Sequence, residues 1–371
     1  MKKLLTLLLC ALLLLPLLAC SAKDVSAVPP MTGGLDAYLD AYPSIKDGPL
    51  YGSTVTVYNW GEYMDTDLNK EFKELTGITV KYRNFTSNET LRSSLADGGA
   101  SYDVVIPSDY MIGQLIEENL LVKMDYTKLG NYKYLLDAYK NTAYDPNNEY
   151  SMPYMTGTVG IVYNTTKVTG EVDSWDILFD PQYSGQILMF DNSRDALGIA
   201  LLKLGYSLNT TSETELREAQ ALLTQQKPLV QSYVMDQIYD KMIAGEAVVG
   251  PYYAGDAVMM MEENEDLDFA FPKEGTNAFI DAFVIPKTVK NTAGAYLYID
   301  FMSSVESGHA NVTATGYTTP LRHVYEDLPE SVRLNPIIFP SDDILENTEI
   351  YLNLPSDTRR LYDNLWVDLF K

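Results

Sequence analysis

The chain has 371 residues, 46% of them apolar, enough for two domains with separate cores. Its 51 acidic side chains outnumber 27 basic ones for a formal net charge of −24, a balance that disfavours nucleic acid and anionic lipid and favours cationic partners. With 2 histidines and 2 cysteines in all, multi-histidine metal sites and histidine-based triads are disfavoured, while 28 tyrosines are an unusual excess.

Lys2 and Lys3 precede a leucine-rich run, Leu4 to Leu18, too short to span a bilayer and remain there. The run closes on Leu17-Leu18-Ala19-Cys20, which resembles a bacterial lipobox and implies cleavage before Cys20 with lipid on its sulfur. Residues 1–19 are therefore expected to be a lipoprotein signal peptide. Cys10 leaves with it, so the mature domain has no free thiol, no disulfide and no thiolate metal site. Residues 20–52 are small, Pro-bearing and aperiodic and read as a tether, with one short helical turn at most around Asp36 to Tyr42.

The first strand is expected from Thr54 to Asn59, where β-branched and apolar positions alternate. It delivers Trp60, Glu62 and Tyr63 at its carboxyl end, where ligands of open α/β sheets bind. Leu68, Phe72 and Leu75 recur at helical spacing and Gly77 stops that helix. Ile78 to Tyr82 reads as a strand, Ser87 caps a helix to about Ala96, and Tyr102 to Pro107 is a buried strand. That strand presents Ser108, Asp109 and Tyr110 at the mouth of the next helix. Alternating strands and helices predict a parallel sheet.

Two separate strands, Tyr150 to Tyr154 and Gly160 to Tyr163, are expected to leave this first lobe. Ile187 to Phe190 is a strand ending in Asp191, Asn192, Arg194 and Asp195; helices follow at Asp195 to Lys203, Thr214 to Gln225 and Gln231 to Ala244. Val248 to Tyr253 delivers Tyr253 and Asp256, and Phe279 to Pro286 is a return strand carrying Asp281. Helices near Ala293 to Ser303 and Ser307 to Ala314, the loop Gly316 to Pro320 and a terminal amphipathic helix from Thr358 to Phe370 complete the reading. No P-loop, GxGxxG, HExxH, GxSxG or EF-hand pattern occurs, which lowers the expectation of an enzyme.

Strand ends thus repeatedly pair an aromatic ring with a carboxylate. An ammonium group on an alkyl chain needs both. The acid compensates the charge, and the ring covers the methylenes at ~0.8 kcal/mol per buried CH₂. Tyrosine and tryptophan also stack on sugars, so a lipid-anchored hydrolase using two of Glu62, Asp109, Asp195 and Asp281 is the rival reading. A carboxyl raised well above its usual range would favour that rival. A sugar- or peptide-binding protein of the same fold is a third.

The segment from Val55 to about Pro320 resembles the spermidine/putrescine-binding proteins of bacterial polyamine ABC importers. The motifs are Val57-Tyr58-Asn59-Trp60-Gly61-Glu62-Tyr63, Tyr102 to Ser108, Asp145 to Tyr154, and Thr315-Gly316-Tyr317-Thr318-Thr319-Pro320, in that order. The resemblance implies a two-lobed periplasmic-binding-protein-like (type II) α/β fold whose interlobe cleft closes on its ligand. It implies that Trp60, Tyr63, Ser108, Tyr110, Asn192, Asp195, Tyr253, Asp256, Phe279, Asp281, Tyr317 and Tyr351 line the cleft. Asp195 and Asp281 would meet ammonium groups, with Trp60, Tyr253, Phe279 and Tyr317 around the alkyl chain. Asn192 replaces an acid, and Tyr253 and Phe279 replace tryptophans of the spermidine binders, a mild pointer to putrescine. The implied partners are a polyamine (putrescine or spermidine), the permease subunits, and the membrane through lipidated Cys20, with no cofactor and a monomeric carrier. The expected lobes are 53–158 with 281–325, and 159–280 with 326–371.

Overall fold

The computed structural model describes residues 23–371. The signal-peptide and Cys20 readings lie outside them. The first described segment is not the free tether expected. Val25, Leu35, Tyr38 and Leu50 bury into the first core, and α1 (Gly34–Ala41) packs there as a true helix. Gly33 donates its amide to Thr127 O, and Leu35 donates to the buried carboxylate of Asp300 at 2.8 Å. The composition looks like a linker because its apolar residues are too sparse for a periodic signal. Each nevertheless finds a socket.

Strands β1 (Thr54–Asn59), β2 (Thr79–Asn84) and β3 (Val104–Val105) run parallel. Helices α2 (Leu68–Thr76) and α3 (Asn88–Ala96) connect them, and α4 (Asp109–Glu117) follows β3. Helix α2 stops at Gly77, whose φ of 73° suits the left-handed C-cap. The Ser87 hydroxyl accepts the Thr90 amide and starts α3 as the sequence predicts.

Strand β4 (Ser151–Asn164) is a single strand of 14 residues, where two were expected. Gly157 and Gly160 look like breaks in sequence, yet both stay extended because neighbouring side chains fill their space. A Cβ on Gly157 would meet the Phe279 ring at 2.8 Å and the Tyr317 ring at 3.0 Å. Beyond it come β5 (Ile187–Phe190), α5 (Ser193–Lys203), α6 (Glu213–Gln226), β6 (Val230–Val234) and α7 (Ile238–Ile243). The helix expected from Gln231 is therefore a strand followed by a short helix. β-Branched and aromatic residues in β6 pair with β5, overriding the helical reading. Then follow β7 (Val249–Tyr253), α8 (Ala254–Glu263), β8 (Leu267–Ala270), β9 (Thr276–Val284), α9 (Thr292–Met302), α10 (Val305–Thr315) and β10 (Thr348–Glu349). The chain ends with a helix over Ser356–Leu369.

One sheet joins everything, in the order β2-β1-β3-β9-β4-β7-β5-β6, with β8 beside β4 and β10 beside β9. The antiparallel pair β4 and β9 sits at its middle and passes from one core to the other. Met152, Tyr154 and Met155 belong to the first core, whereas Val159, Ile161 and Val162 belong to the second. A third passage lies in the C-terminal part. Leu328 and, half-buried, Val332 and Phe339 still pack on the first core; Tyr351 and Leu354 belong to the second. Leu328, Val332 and Phe339 thus pack on the first core and Ile337 on the second, within a stretch expected to lie wholly in the second lobe. Three chain passages between two α/β lobes make a type II solute-binding architecture.

Candidate interlobe binding site

The carboxyl ends of β1, β3, β5 and β7 converge on a cavity of about 440 Å³ between the lobes. Every residue named from the sequence lines it: Trp60, Glu62, Tyr63, Ser108, Tyr110, Asn192, Asp195, Tyr253, Asp256, Phe279, Asp281, Tyr317 and Tyr351. Phe85, Glu89, Arg194, Asp236 and Tyr239 line it too and were not singled out. Phe85 was within reach of the strand-end rule, since it directly follows β2. Tyr239 sits in a helix with no motif around it.

Aromatic rings supply the walls. Trp60 lies 4.4 Å from Phe85, ring centroid to ring centroid, and its buried indole Nε1 has no hydrogen-bond partner among the described residues. Phe279 meets Tyr253 edge-on at 5.6 Å and Tyr317 at 5.8 Å, and Tyr317 meets Tyr63 at 5.0 Å. Such edge-to-face contacts fix ring positions without filling the space between them.

Three buried aspartates sit among these rings. Asp195 Oδ2 accepts hydrogen bonds from the Tyr253 hydroxyl at 2.7 Å and the Asn192 side-chain amide at 2.8 Å. Asn192 Oδ1 in turn accepts the Asp195 backbone amide, so this residue both caps α5 and aims the acid. Asp256 accepts from Tyr239 at 2.7 Å and from Tyr317 at 2.6 Å. Asp281 has Ser108 and the Tyr63 hydroxyl beside it. Yet its Oδ1 and the Tyr63 hydroxyl oxygen are both buried without a partner among the described residues. Ser108 occupies the N-cap position of α4 but makes no side-chain cap bond there, which leaves its hydroxyl for the cleft.

Burial raises the carboxyls of Asp256 and Asp281 to about 7, and raises Asp195 in spite of the bonds it accepts. Asp109, behind Asp281, is lifted to about 8 by the same burial while its oxygens accept the Tyr110 and Ile280 amides. The expected discriminator between an amine site and a hydrolase therefore does not discriminate. Buried acids are raised chiefly by desolvation, and Asp109 and Asp256 also by neighbouring carboxylates, whatever their task. Among the described residues no group of three His, Cys, Asp or Glu side chains is placed to hold a metal ion.

Two lobes, a hinge of paired strands and one polar, aromatic cleft between them define a solute-binding protein of the type that closes around its cargo. Residues 100–348 match the bacterial extracellular solute-binding protein family, and the chain belongs to it. A Haemophilus influenzae relative, spermidine/putrescine-binding periplasmic protein 1, is 34% identical over 319 residues, covering 85% of this chain and 88% of that one. The solved spermidine/putrescine ABC transporter substrate-binding protein PotD of Streptococcus pneumoniae is 36% identical, with a TM-score of 0.74 over 85% of this chain and 98% of its own. The TpPotD lipoprotein of Treponema pallidum is 26% identical, with a TM-score of 0.77 over 86% and 100%. The family is one of solute-binding proteins, which leaves the hydrolase alternative without support.

Proposed function

We propose that this chain captures polyamines outside the cytoplasm and hands them to the permease of an ABC importer. It does so as a monomeric lipoprotein anchored at Cys20, with no cofactor. The observation that carries the ligand assignment is the buried Asp281 in the cleft, whose Oδ1 has no hydrogen-bond partner among the described residues although the Ser108 and Tyr63 hydroxyls stand beside the carboxyl. Ionising a buried carboxyl that keeps an unmet acceptor is costly, and an ammonium group supplies both the countercharge and the donors. The surrounding rings suit the alkyl chain between ammonium groups. The spermidine/putrescine-binding relatives support the same ligand class.

The site residues are divided between lobes, so an amine that touches both favours the closed form. Lobe 1 consists of the strands before the hinge with the helices after it, and lobe 2 of the segment between the hinge strands with the C-terminal helix. No covalent step is required.

The test is a thermal melt of the full chain in detergent against putrescine, cadaverine, spermidine, spermine, maltose and a dipeptide. At 100 times its dissociation constant a ligand adds ~2.7 kcal/mol. At ~2–4 °C per kcal/mol, the shift is several degrees. Amines alone are expected to give it, and Asp281→Asn to abolish it. A flat response to every amine would reject the polyamine assignment.

A further inference from the structure

Among the described residues Arg194 is the one basic side chain that lines the cleft, and it is 7% exposed. Its guanidinium is caged by tyrosine faces: Tyr351 at 4.5 Å, Tyr110 at 5.1 Å and Tyr362 at 5.2 Å from ring centroid to carbon. Tyr110 and Tyr351 are themselves cleft walls, 6.0 Å apart and nearly perpendicular.

Among the described residues no carboxylate pairs with it. Its hydrogen bonds go to the Leu352 carbonyl and Asn209 Oδ1, each at a long 3.4 Å, and its Nε has no partner. The cage is therefore an ammonium-type aromatic site that the protein fills with its own cation. Its charge is also local to one end of the cleft. It acts on Asp109, Asp195 and Tyr110, while Asp256 at the other end feels Asp236 and Glu62 instead.

We infer that Arg194 is the specificity-determining end stop of the cleft: it occupies the aromatic cage that a further ammonium of a longer amine would enter, and so sets the length of polyamine accepted. This rests on the polyamine reading and names the selectivity of that same site. An incoming ammonium near the cage meets a like charge that low local dielectric leaves unscreened. Replacing the guanidinium with an apolar group of similar length removes that repulsion and leaves Tyr110, Tyr351 and the acids facing the new space.

The experiment is calorimetric titration of the full chain in detergent with putrescine and with spermine, for wild type and Arg194→Met. The ratio of the two dissociation constants is expected to move about tenfold or more toward spermine in the variant. A purely structural role weakens both amines together and leaves the ratio where it was, and an unchanged ratio overturns the inference. Should the methionine variant not fold, Arg194→Gln keeps a donor for the Leu352 carbonyl without the charge and is expected to move the ratio the same way. Wild-type protein that binds no amine would instead overturn the polyamine reading itself.

Discussion

The Tyr317 hydroxyl donates to Asp256 Oδ2 at 2.6 Å, and the two residues belong to opposite lobes. Tyr317 lies in the loop after α10, on the first core, while Asp256 lies in the first turn of α8, on the second. This bond therefore ties the lobes together at the back of the cleft. A hydrogen bond to a charged group is worth about 1.5–3 kcal/mol. Tyr317→Phe is expected to weaken putrescine binding about tenfold in calorimetry, with most of the loss in a faster off-rate. Tyr239 still holds Oδ1, so Asp256 is not stranded.

Beside that bond the two backbones nearly touch. Gly316 adopts φ 69°, and a Cβ there would lie 2.5 Å from the Gly255 carbonyl oxygen. A Cβ on Gly255 would meet the Tyr317 ring at 2.7 Å and the Thr315 carbonyl at 2.8 Å. Gly255→Ala is expected to prop the lobes apart, because backbone cannot yield as a flexible side chain does. X-ray scattering should then show no compaction with amine, and affinity should fall more than tenfold while each lobe keeps its fold.

The raised acids give opposite pH trends for stability and for binding. Asp256 and Asp281 hold their protons to about pH 7 when folded, but only to ~4 when unfolded. The folded state binds more protons between those values, so this contribution to stability is full below ~4 and is lost as pH rises through about 7. The ligand-free protein is expected to melt higher at pH 5 than at pH 8. Amine affinity runs the other way, since an ammonium needs the ionised acid, and is expected to fall as pH drops below about 7. Melts and titrations across pH 5 to 8 check both signs; parallel trends would refute the shared cause.

Asp300 pins the N-terminal strap. Its carboxylate accepts the Leu35 and Asn131 amides at 2.8 Å each, and burial raises it. Asp300→Ala leaves both amides without that acceptor and is expected to cost about 2–3 kcal/mol. Limited proteolysis should cut first within residues 23–52. Amine affinity is expected to stay as it was, because the strap does not reach the cleft.

Many walls and acids of the cleft were legible because they follow a strand, and strand ends are marked by short-range patterns; Phe279 and Asp281 instead lie within β9, and Tyr317 follows a helix. Trp60 after β1, Ser108 after β3, Asn192 after β5 and Tyr253 at the end of β7 all obey that rule. Arg194 was seen at the end of β5 but given no role, since its surroundings come from Tyr110, Tyr351 and Tyr362, which are far from it in sequence. The unity of β4 was hidden for a related reason. Gly157 looks like a break until the Phe279 and Tyr317 rings that fill its missing side chain are in place. Local pattern specifies where a strand ends; only long-range packing specifies whether a glycine interrupts one.

The strap also sets the length of the leash. With residues from Val25 onward fastened to the first lobe, only Ser21 and Ala22 separate Cys20 from Lys23, whose ammonium group reaches the Tyr51 carbonyl. Extended chain spans ~3.5 Å per residue at most, so a lipid on Cys20 would hold this lobe within on the order of 10 Å of the bilayer. The carrier would then be moored rather than drifting. Its first lobe would stay berthed at the membrane, and any search for a membrane partner would become lateral gliding in two dimensions.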